Sequence, residues 1–529
     1  MTDVIADPEL DPTATYAVEP SRARALTSRV VASPGAEQHV SRTPMTGAPL
    51  ASLPVSTPED VTVAFATARS AQRAWARLSF RRRADILLRF HDLVLERQVE
   101  LIDLIQLESG KTRTQAFEEV ADTANTARHY ARAGAGYLRD RTAAGAIPGL
   151  TRPVISHRPK GVVGIVSPWN FPLVLGINDA VPALLAGNAV VTRPDLQASL
   201  TTLMAAELLS EAGLPEGVLQ VVLGPGATTG QAVVEQGDYV SYTGSTKTGR
   251  SVAEVAGRRL VGASMELGGK NSLYVAEDAD LDRTVEGAVR GCFSSAGQLC
   301  ISYERLIVHR AVHGEFVTRF VEAVERMKLS TELAYGPDMG SLAGQSQLDT
   351  VSRHVEDARS KGATVLTGGR ARPDIGPYVY EPTVLTGVTP EMECRNDETF
   401  GPVVSIYEVG SDEEAIALAN DTEYGLNASV WTKDTSRGRR IAAEIRTGTV
   451  SVNDPYPATW GSPGAPMGGM KASGVGRRHG AEGIVRFTET QTVSVQHVVS
   501  FGSVPGVSQE TFAKGATVAL RAMKALGLK

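Results

Sequence analysis

From Arg158 onward, short β-type runs alternate with segments whose apolar residues recur at helical spacing. The runs are VVGIVS, NAVVTRP, VLQVVLG, YVSYTG and RRLVGASMELGG. Helical segments fall near Asn178 to Leu185, over 199–212 and over 247–257. This β-α-β-α rhythm predicts a parallel sheet with helices on both faces. Such sheets bind ligands beyond the carboxyl ends of their strands. A second rhythm begins near Ala288. Helical segments at 288–296, 313–327, 345–361, 412–420 and 435–447 alternate with RLIVH, ATVLTGG, PTVLTG, VVSIYEV, NASVWT and TGTVSVN, which predicts a second α/β unit. Ahead of both, Pro58 to about Tyr137 is helical. There Ile86, Leu87, Phe90, Leu93 and Val94 keep helical spacing, and Gly110 is a stop signal.

The ends of the chain behave differently. Residues 1 to about 50 are rich in Pro, Ala, Ser and Thr and read as an extended arm with a short strand or two. TRPVISHRPKG and ETQTVSVQHVVS alternate like exposed strands and could pair, far apart in sequence, as a flap suited to oligomer contacts. Phe512 to Leu528 has helical spacing and carries Lys514, Arg521 and Lys524. It is expected to dock on a neighbouring subunit, with a solvated helix as the alternative.

Length and charge narrow the function. A chain of 529 residues is too long for one core, so two or three domains are expected. A net charge of −6 argues against a nucleic-acid binder and for a small-molecule partner. Three cysteines, Cys292, Cys300 and Cys394, are no disulfide framework. The acidic N-terminus is no signal peptide, and no apolar run suggests a membrane span, so a cytoplasmic location is expected.

Several positions carry candidate chemistry, each with a bland alternative. Cys300, in FSSAGQLC, reads alone as a buried inert thiol, yet a thiolate there would be a strong nucleophile toward an aldehyde. Gly297 permits close backbone approach, and Gln298 is an amide with no evident structural need. Glu266, in SMELGGK, ends an apolar strand; burial would make it a base near neutrality, or it serves a structural ion pair. Asn170, in PWNFP, offers an amide to an oxyanion or forms an Asx-turn. Gly244 and Ser245 lead a strand into a helix where a pyrophosphate could bind. SGKT at 109–112 lacks the glycine spacing of a phosphate loop and reads as a helix end with a solvated lysine.

Taken in order, PWNFP, YTGSTKTG, MELGGKN, GQLC, ETFGPV and PMGGMKASGVG resemble the aldehyde dehydrogenase superfamily over roughly residues 45 to 500. The strings KGVVGIVSPWNFP, CISYER, YEPTVLTGV and GGMKASGVGRRHG look closest to its NADP-linked succinate-semialdehyde dehydrogenases of the actinobacterial type. The resemblance implies an N-terminal arm (1–45), a Rossmann-type dinucleotide-binding domain (46–142 and 161–287) and a catalytic domain (288–486). It adds an oligomerisation flap (143–160 and 487–503) and a C-terminal tail (504–529), in a homodimer or homotetramer. It implies Cys300 as nucleophile, Glu266 as base and Asn170 with the Cys300 backbone N–H as oxyanion hole. The cofactor would meet Glu398 and Phe400 at the nicotinamide end and Gly244 and Ser245 at the phosphates. Trp169, Asn170, Leu267, Pro194, Asp195 and Gly226 complete its site, and no metal is implied. Arg193 stands where the family usually has Lys, and Leu196 where NAD-preferring members often have Glu. The loss of that carboxylate and the gain of a guanidinium favour NADP, with NAD as the open alternative. Lys270 is expected to be structural.

The implied reaction is oxidation of an aldehyde, best matched by succinate semialdehyde, to a carboxylic acid through a cysteine thioacyl intermediate. Glu266 favours hydrolysis over transfer to coenzyme A; a non-catalytic protein on the same fold is the remote alternative. For a substrate carboxylate the candidates are Arg132, Arg305 and Ser462. Met467 and Trp460 would instead suit aliphatic or aromatic aldehydes.

Overall fold

The computed structural model describes residues 17–145, 151–496 and 504–527. Parts of the expected arm (1–16), flap (146–150 and 497–503) and tail (528–529) lie outside the described residues.

Two sheets carry the fold. The first has six strands in the spatial order Gly474–Val475, Gly262–Glu266, Tyr239–Thr243, Val162–Val166, Ala189–Arg193, Leu219–Val221. All run parallel except Gly474–Val475. Every residue of its three central strands is buried, which is why they read as unbroken apolar runs. Strand order reverses at Val162–Val166, so a crevice opens beyond its carboxyl end and that of Tyr239–Thr243. The sequence places Pro168–Asn170 and Gly244–Ser245 there.

The second sheet has seven strands, in the order Thr364–Thr367, Thr383–Thr386, Val403–Val409, Tyr303–His309, Asn271–Val275, Asn427–Trp431, Thr449–Val452. Only Thr364–Thr367 is antiparallel. Here the expected domain limits need correction. The second sheet already takes Asn271–Val275, so the chain crosses between sheets at 267–270 rather than near 288. Gly268 and Gly269 make this crossing sterically open: a Cβ on Gly269 would lie 2.6 Å from the Cys300 carbonyl oxygen. Gly474–Val475 likewise returns to the first sheet from within 288–486.

The two outlying segments pair as expected. Thr488–Gln496 runs antiparallel to Thr151–Pro159 along nine residues, with Arg141–Thr142 as a third strand. The arm contributes a hairpin, Gln38–Arg42 with Pro49–Pro54, and a helix, Pro20–Thr27, that its composition did not suggest. In the tail, Gln509–Ala525 is a helix with no buried residue. Among the described residues no helix is long and apolar enough to cross a membrane.

A buried acid fastens the C-terminal segment to the first sheet. Asp179 accepts from Arg478 (Nε 3.0 Å, Nη2 2.9 Å), from Arg486 Nη2 (2.6 Å) and from Ser241 Oγ (2.5 Å). Burial pushes its carboxyl up, but the two guanidiniums prevail and hold it well below the usual range. Asp179→Asn would leave two buried guanidiniums sharing no anion, at a cost of about 3–5 kcal/mol in denaturant unfolding. A depressed carboxyl contributes its stability above the ordinary value of 3.8, so the gap to wild type should be full at neutral pH. It should begin to narrow as pH falls through that value and go on narrowing toward the depressed folded one.

Candidate active site

The loop that carries Cys300 leaves the helix Leu281–Phe293 through three left-handed residues, Ser295 (φ 51°), Ala296 (φ 53°) and Gly297 (φ 70°). Gln298 holds this turn. Its Nε2 donates to the carbonyls of Ser295 (3.0 Å) and Ser341 (3.3 Å), and its Oε1 accepts from Ala343 N (2.9 Å). The sequence suggested no structural need for this amide; the structure corrects that, because a left-handed turn must be fastened from outside. A Cβ on Gly297 would lie 2.1 Å from the Gly401 oxygen, so this loop and the ETFGPV loop touch backbone to backbone.

Cys300 and Asn170 line one cavity, with Phe171, Leu175, Leu299 and Met467 as apolar neighbours. Asn170 Nδ2 donates to the Gln298 carbonyl at 3.0 Å, which fixes the amide and leaves its second N–H for a ligand. Burial pushes the Cys300 thiol up to about 12, with the Glu398 and Glu266 carboxylates adding to the effect. A thiol so placed needs a proton acceptor. Glu266 ends the strand Gly262–Glu266, is 6% exposed, and its Oε1 has no hydrogen-bond partner. An unpartnered buried oxygen favours the base over the structural ion pair. Burial raises this carboxyl to about 7, while Arg478 and Arg486 restrain the rise.

Beyond the first sheet the Gly244–Ser245 turn leads into a helix N-terminus. Gly244 N donates to the Glu266 carbonyl (3.1 Å), and Ser245 caps the helix Thr246–Arg259 by accepting from Thr248 N (3.3 Å). That helix has no acidic residue in its first turn, which suits an anion at its positive end. A Cβ on its Gly249 would lie 2.3 Å from Leu267 Cδ2, so the helix packs closely on the strand end. Trp169 and Phe400 meet edge to face, 5.7 Å between ring centroids. Glu398 Oε1 accepts from Gly269 N at 2.9 Å, and burial, then Glu304, pushes its carboxyl up to about 8. Arg193 is buried, with Nε and Nη2 donating to the Gly224 carbonyl (2.8 and 2.6 Å) and Nη1 facing Asp195 (3.3 Å). Pro194 is buried beside it, Leu196 is half-buried, and Gly226 is exposed on the next loop.

Two lysines take on more than the sequence suggested. Lys111 ends the SGKT helix as expected, with Gly110 left-handed at φ 74°, but it is not solvated. It is 2% exposed and pairs with Glu119 at 2.6 Å, because the neighbouring carboxylate repays its burial. Lys270 is structural, as expected: it pairs with Glu304, which accepts from Thr399 N (3.0 Å) and Phe400 N (2.9 Å) and so fixes the loop bearing Glu398 and Phe400.

The three candidates for a substrate carboxylate are not brought to the cavity. Arg132 is exposed. Arg305 donates to the carbonyls of Lys270 (3.0 Å), Leu418 (2.8 Å) and Ala419 (2.9 Å), which makes it a brace. Ser462 Oγ bonds the Ala458 carbonyl (2.6 Å). Met467 and Trp460 do line the cavity, as do Tyr130, Arg478 and Arg486, which sequence reasoning missed. The doubled arginine of GVGRRHG was the available signal for Arg478; nothing local marked Arg486.

The crevice beyond the first sheet, the half-buried Cys300 and a buried Glu266 with one unpartnered oxygen are the features to set against known proteins. The family model described as "Aldehyde dehydrogenase family" matches residues 31–493, and the chain belongs to that family. One relative, from Mycolicibacterium smegmatis, is 54% identical over 481 residues, covering 91% of this chain and 93% of its own. Its name assigns it provisionally to NADP(+)-linked succinate-semialdehyde dehydrogenase. Among solved structures, an NADP-dependent enzyme of E. coli has a TM-score of 0.85 at 32% identity, with 89% of this chain and 99% of that one covered. An NAD+ complex of an aldehyde dehydrogenase from Bacillus cereus has a TM-score of 0.85 at 33% identity, covering 90% and 99%. The chain is thus an enzyme that oxidises an aldehyde to an acid.

Glu304→Gln should loosen the cofactor end of the site, since it takes the anion from Lys270 and turns a donor toward Thr399 and Phe400. We expect the cofactor dissociation constant to rise about tenfold, ~1.4 kcal/mol, in a fluorescence titration.

Proposed function

We propose that this enzyme oxidises succinate semialdehyde to succinate with NADP, using Cys300 as nucleophile, Glu266 as base and Asn170 as oxyanion donor. The observation that carries the catalytic roles is the cavity lined by both the fixed Asn170 amide and the Cys300 thiol; Glu266 is not in its lining, but its free, buried oxygen belongs to a carboxylate close enough to raise that thiol. Glu266 takes the Cys300 thiol proton and passes it to solvent; the thiolate attacks the carbonyl carbon, and the oxygen that becomes negative is held by Asn170 Nδ2 and the Cys300 backbone N–H. NADP, when bound, supplies the hydride acceptor. Loss of hydride leaves a thioacyl group on Cys300. Glu266 takes a proton from water, the hydroxide adds to the thioacyl carbon, and the acid leaves as the thiolate is restored.

In this proposal Glu398, Phe400, Trp169 and Leu267 hold the nicotinamide end. Gly244 and Ser245 hold the pyrophosphate, and Arg193, Pro194, Asp195, Leu196 and Gly226 border the adenosine end. Preference for NADP is supported by the relative's name and by Leu196, which presents no carboxylate to a 2′-phosphate. The substrate carboxylate is supported by Arg478 and Arg486, two guanidiniums at the cavity that share the single charge of Asp179. A second reading, an aldehyde without a distal carboxylate, is favoured by the apolar stretch Phe171, Leu175, Trp460 and Met467. We also propose a cytoplasmic homodimer or homotetramer, supported by the exposed edge strand Thr488–Gln496 and by three free cysteines.

Cys300→Ala should lower turnover by at least about 10³-fold while cofactor binding persists; full turnover would refute the nucleophile. With the base raised to about 7, turnover limited by deacylation should climb with pH up to that value and then level. Succinate semialdehyde should exceed an uncharged aldehyde of equal length in kcat/KM, and NADP should exceed NAD. The reverse order in either comparison overturns that half of the proposal.

A further inference from the structure

We infer that the buried pair Lys111–Glu119 is a positioning device for the oxyanion donor, an inference that rests on the role proposed above for Asn170. Neither side chain lines the cavity, yet the hydrogen bonds they make beyond each other reach the segment that carries Asn170. Lys111 Nζ donates to the Asn170 carbonyl oxygen at 2.8 Å and lies 3.5 Å from the centroid of the Phe171 ring. Glu119 spends one oxygen on Lys111 at 2.6 Å. Its other oxygen accepts from Leu173 N (2.9 Å) and Val174 N (3.2 Å). Five consecutive residues, 170–174, thus include four that are held by one ion pair.

The side-chain end of Asn170 is fixed separately, by the Gln298 carbonyl of the cysteine loop. The residue is therefore clamped at both ends: its backbone to the turn after the helix Gln98–Ser109 through Lys111, its amide to the loop of Cys300. Two charges with 1% and 0% side-chain exposure are costly to keep where apolar packing would serve stability as well. A carbonyl pinned by an ammonium, however, sets where the next atoms of the same residue stand. An oxyanion donor is effective only when it is fixed before charge develops, and a misplacement of about 1 Å can cost 10²-fold.

The test is a double-mutant cycle on the full enzyme with bound cofactor. Lys111→Met, Glu119→Gln and Asn170→Ala are compared singly and in pairs. The readouts are the pre-steady-state burst of reduced cofactor and the isotope effect with aldehyde deuterated at the carbonyl carbon. We expect Lys111→Met to slow the hydride step on the order of 10- to 100-fold, with KM changed less than about threefold. The burst should disappear and the isotope effect should emerge. In the Asn170→Ala background the same change should cost less than about threefold, because the donor being positioned is already gone. Equal losses in both backgrounds, or an unchanged hydride step in Lys111→Met, would overturn this inference alone. An unchanged hydride step in Asn170→Ala would overturn the oxyanion role and this inference with it. If Lys111→Met fails to fold, Glu119→Gln carries the same cycle, since it weakens the ammonium's partner and keeps the shape.

Discussion

Ser295, Ala296 and Gly297 stand in the left-handed region in succession, and the two that are not glycine cost about 1–3 kcal/mol each. The turn is kept because Gln298 binds it to Ser341 and Ala343, and because Gly297 admits the Gly401 carbonyl. From this contact the rest of the site follows. The turn sets the Gln298 carbonyl that holds Asn170, and it sets the approach of Gly401, next to Phe400. It also directs the chain so that Cys300 opens on the cavity before Tyr303–His309 enters the second sheet. Cys300, Asn170 and the loop bearing Phe400 share one fastening.

Burial imposes the second constraint. The charged side chains around the site are largely buried, so each must be paired or raised toward neutrality. Lys111 is paired with Glu119, Lys270 with Glu304, and Arg478 and Arg486 with Asp179. Glu266, Glu398 and the cavity-lining Asp122 form no ion pair and are pushed to about 7, about 8 and about 8. The exception to pairing is therefore informative: a group left able to take a proton near neutrality is suited to moving one. The pairs also link distant segments. Asp179 reaches 307 positions along the chain to Arg486, and Lys111 reaches 59 to the Asn170 carbonyl.

These long reaches explain what the amino-acid order shows and what it hides. The parallel strands were legible because burial on both faces leaves runs such as VVGIV without polar interruption. Gly110 was legible as a helix stop because its left-handed conformation is a local property. The crossing between sheets at 267–270 was not, since strand Asn271–Val275 follows Glu266 too closely for any pattern to say which sheet it joins. Lys111 looked solvated because its partner lies eight residues on and its second acceptor is a backbone oxygen in another element. Arg305 and Arg132 were plausible carboxylate holders by type alone, and three-dimensional placement removed both. Arg486 became visible only when the fold brought it to Asp179.

In the proposed reaction two acts fall on one sulfur: acylation of Cys300, then hydrolysis driven by Glu266. Intact-protein and peptide mass spectrometry of the Glu266→Gln enzyme, quenched after reaction with succinate semialdehyde and NADP, tests it most directly. The peptide bearing Cys300 should gain the mass of a succinyl group, and the adduct should persist for many wild-type turnovers. An adduct-free Cys300 in an enzyme that has reduced its cofactor would contradict it.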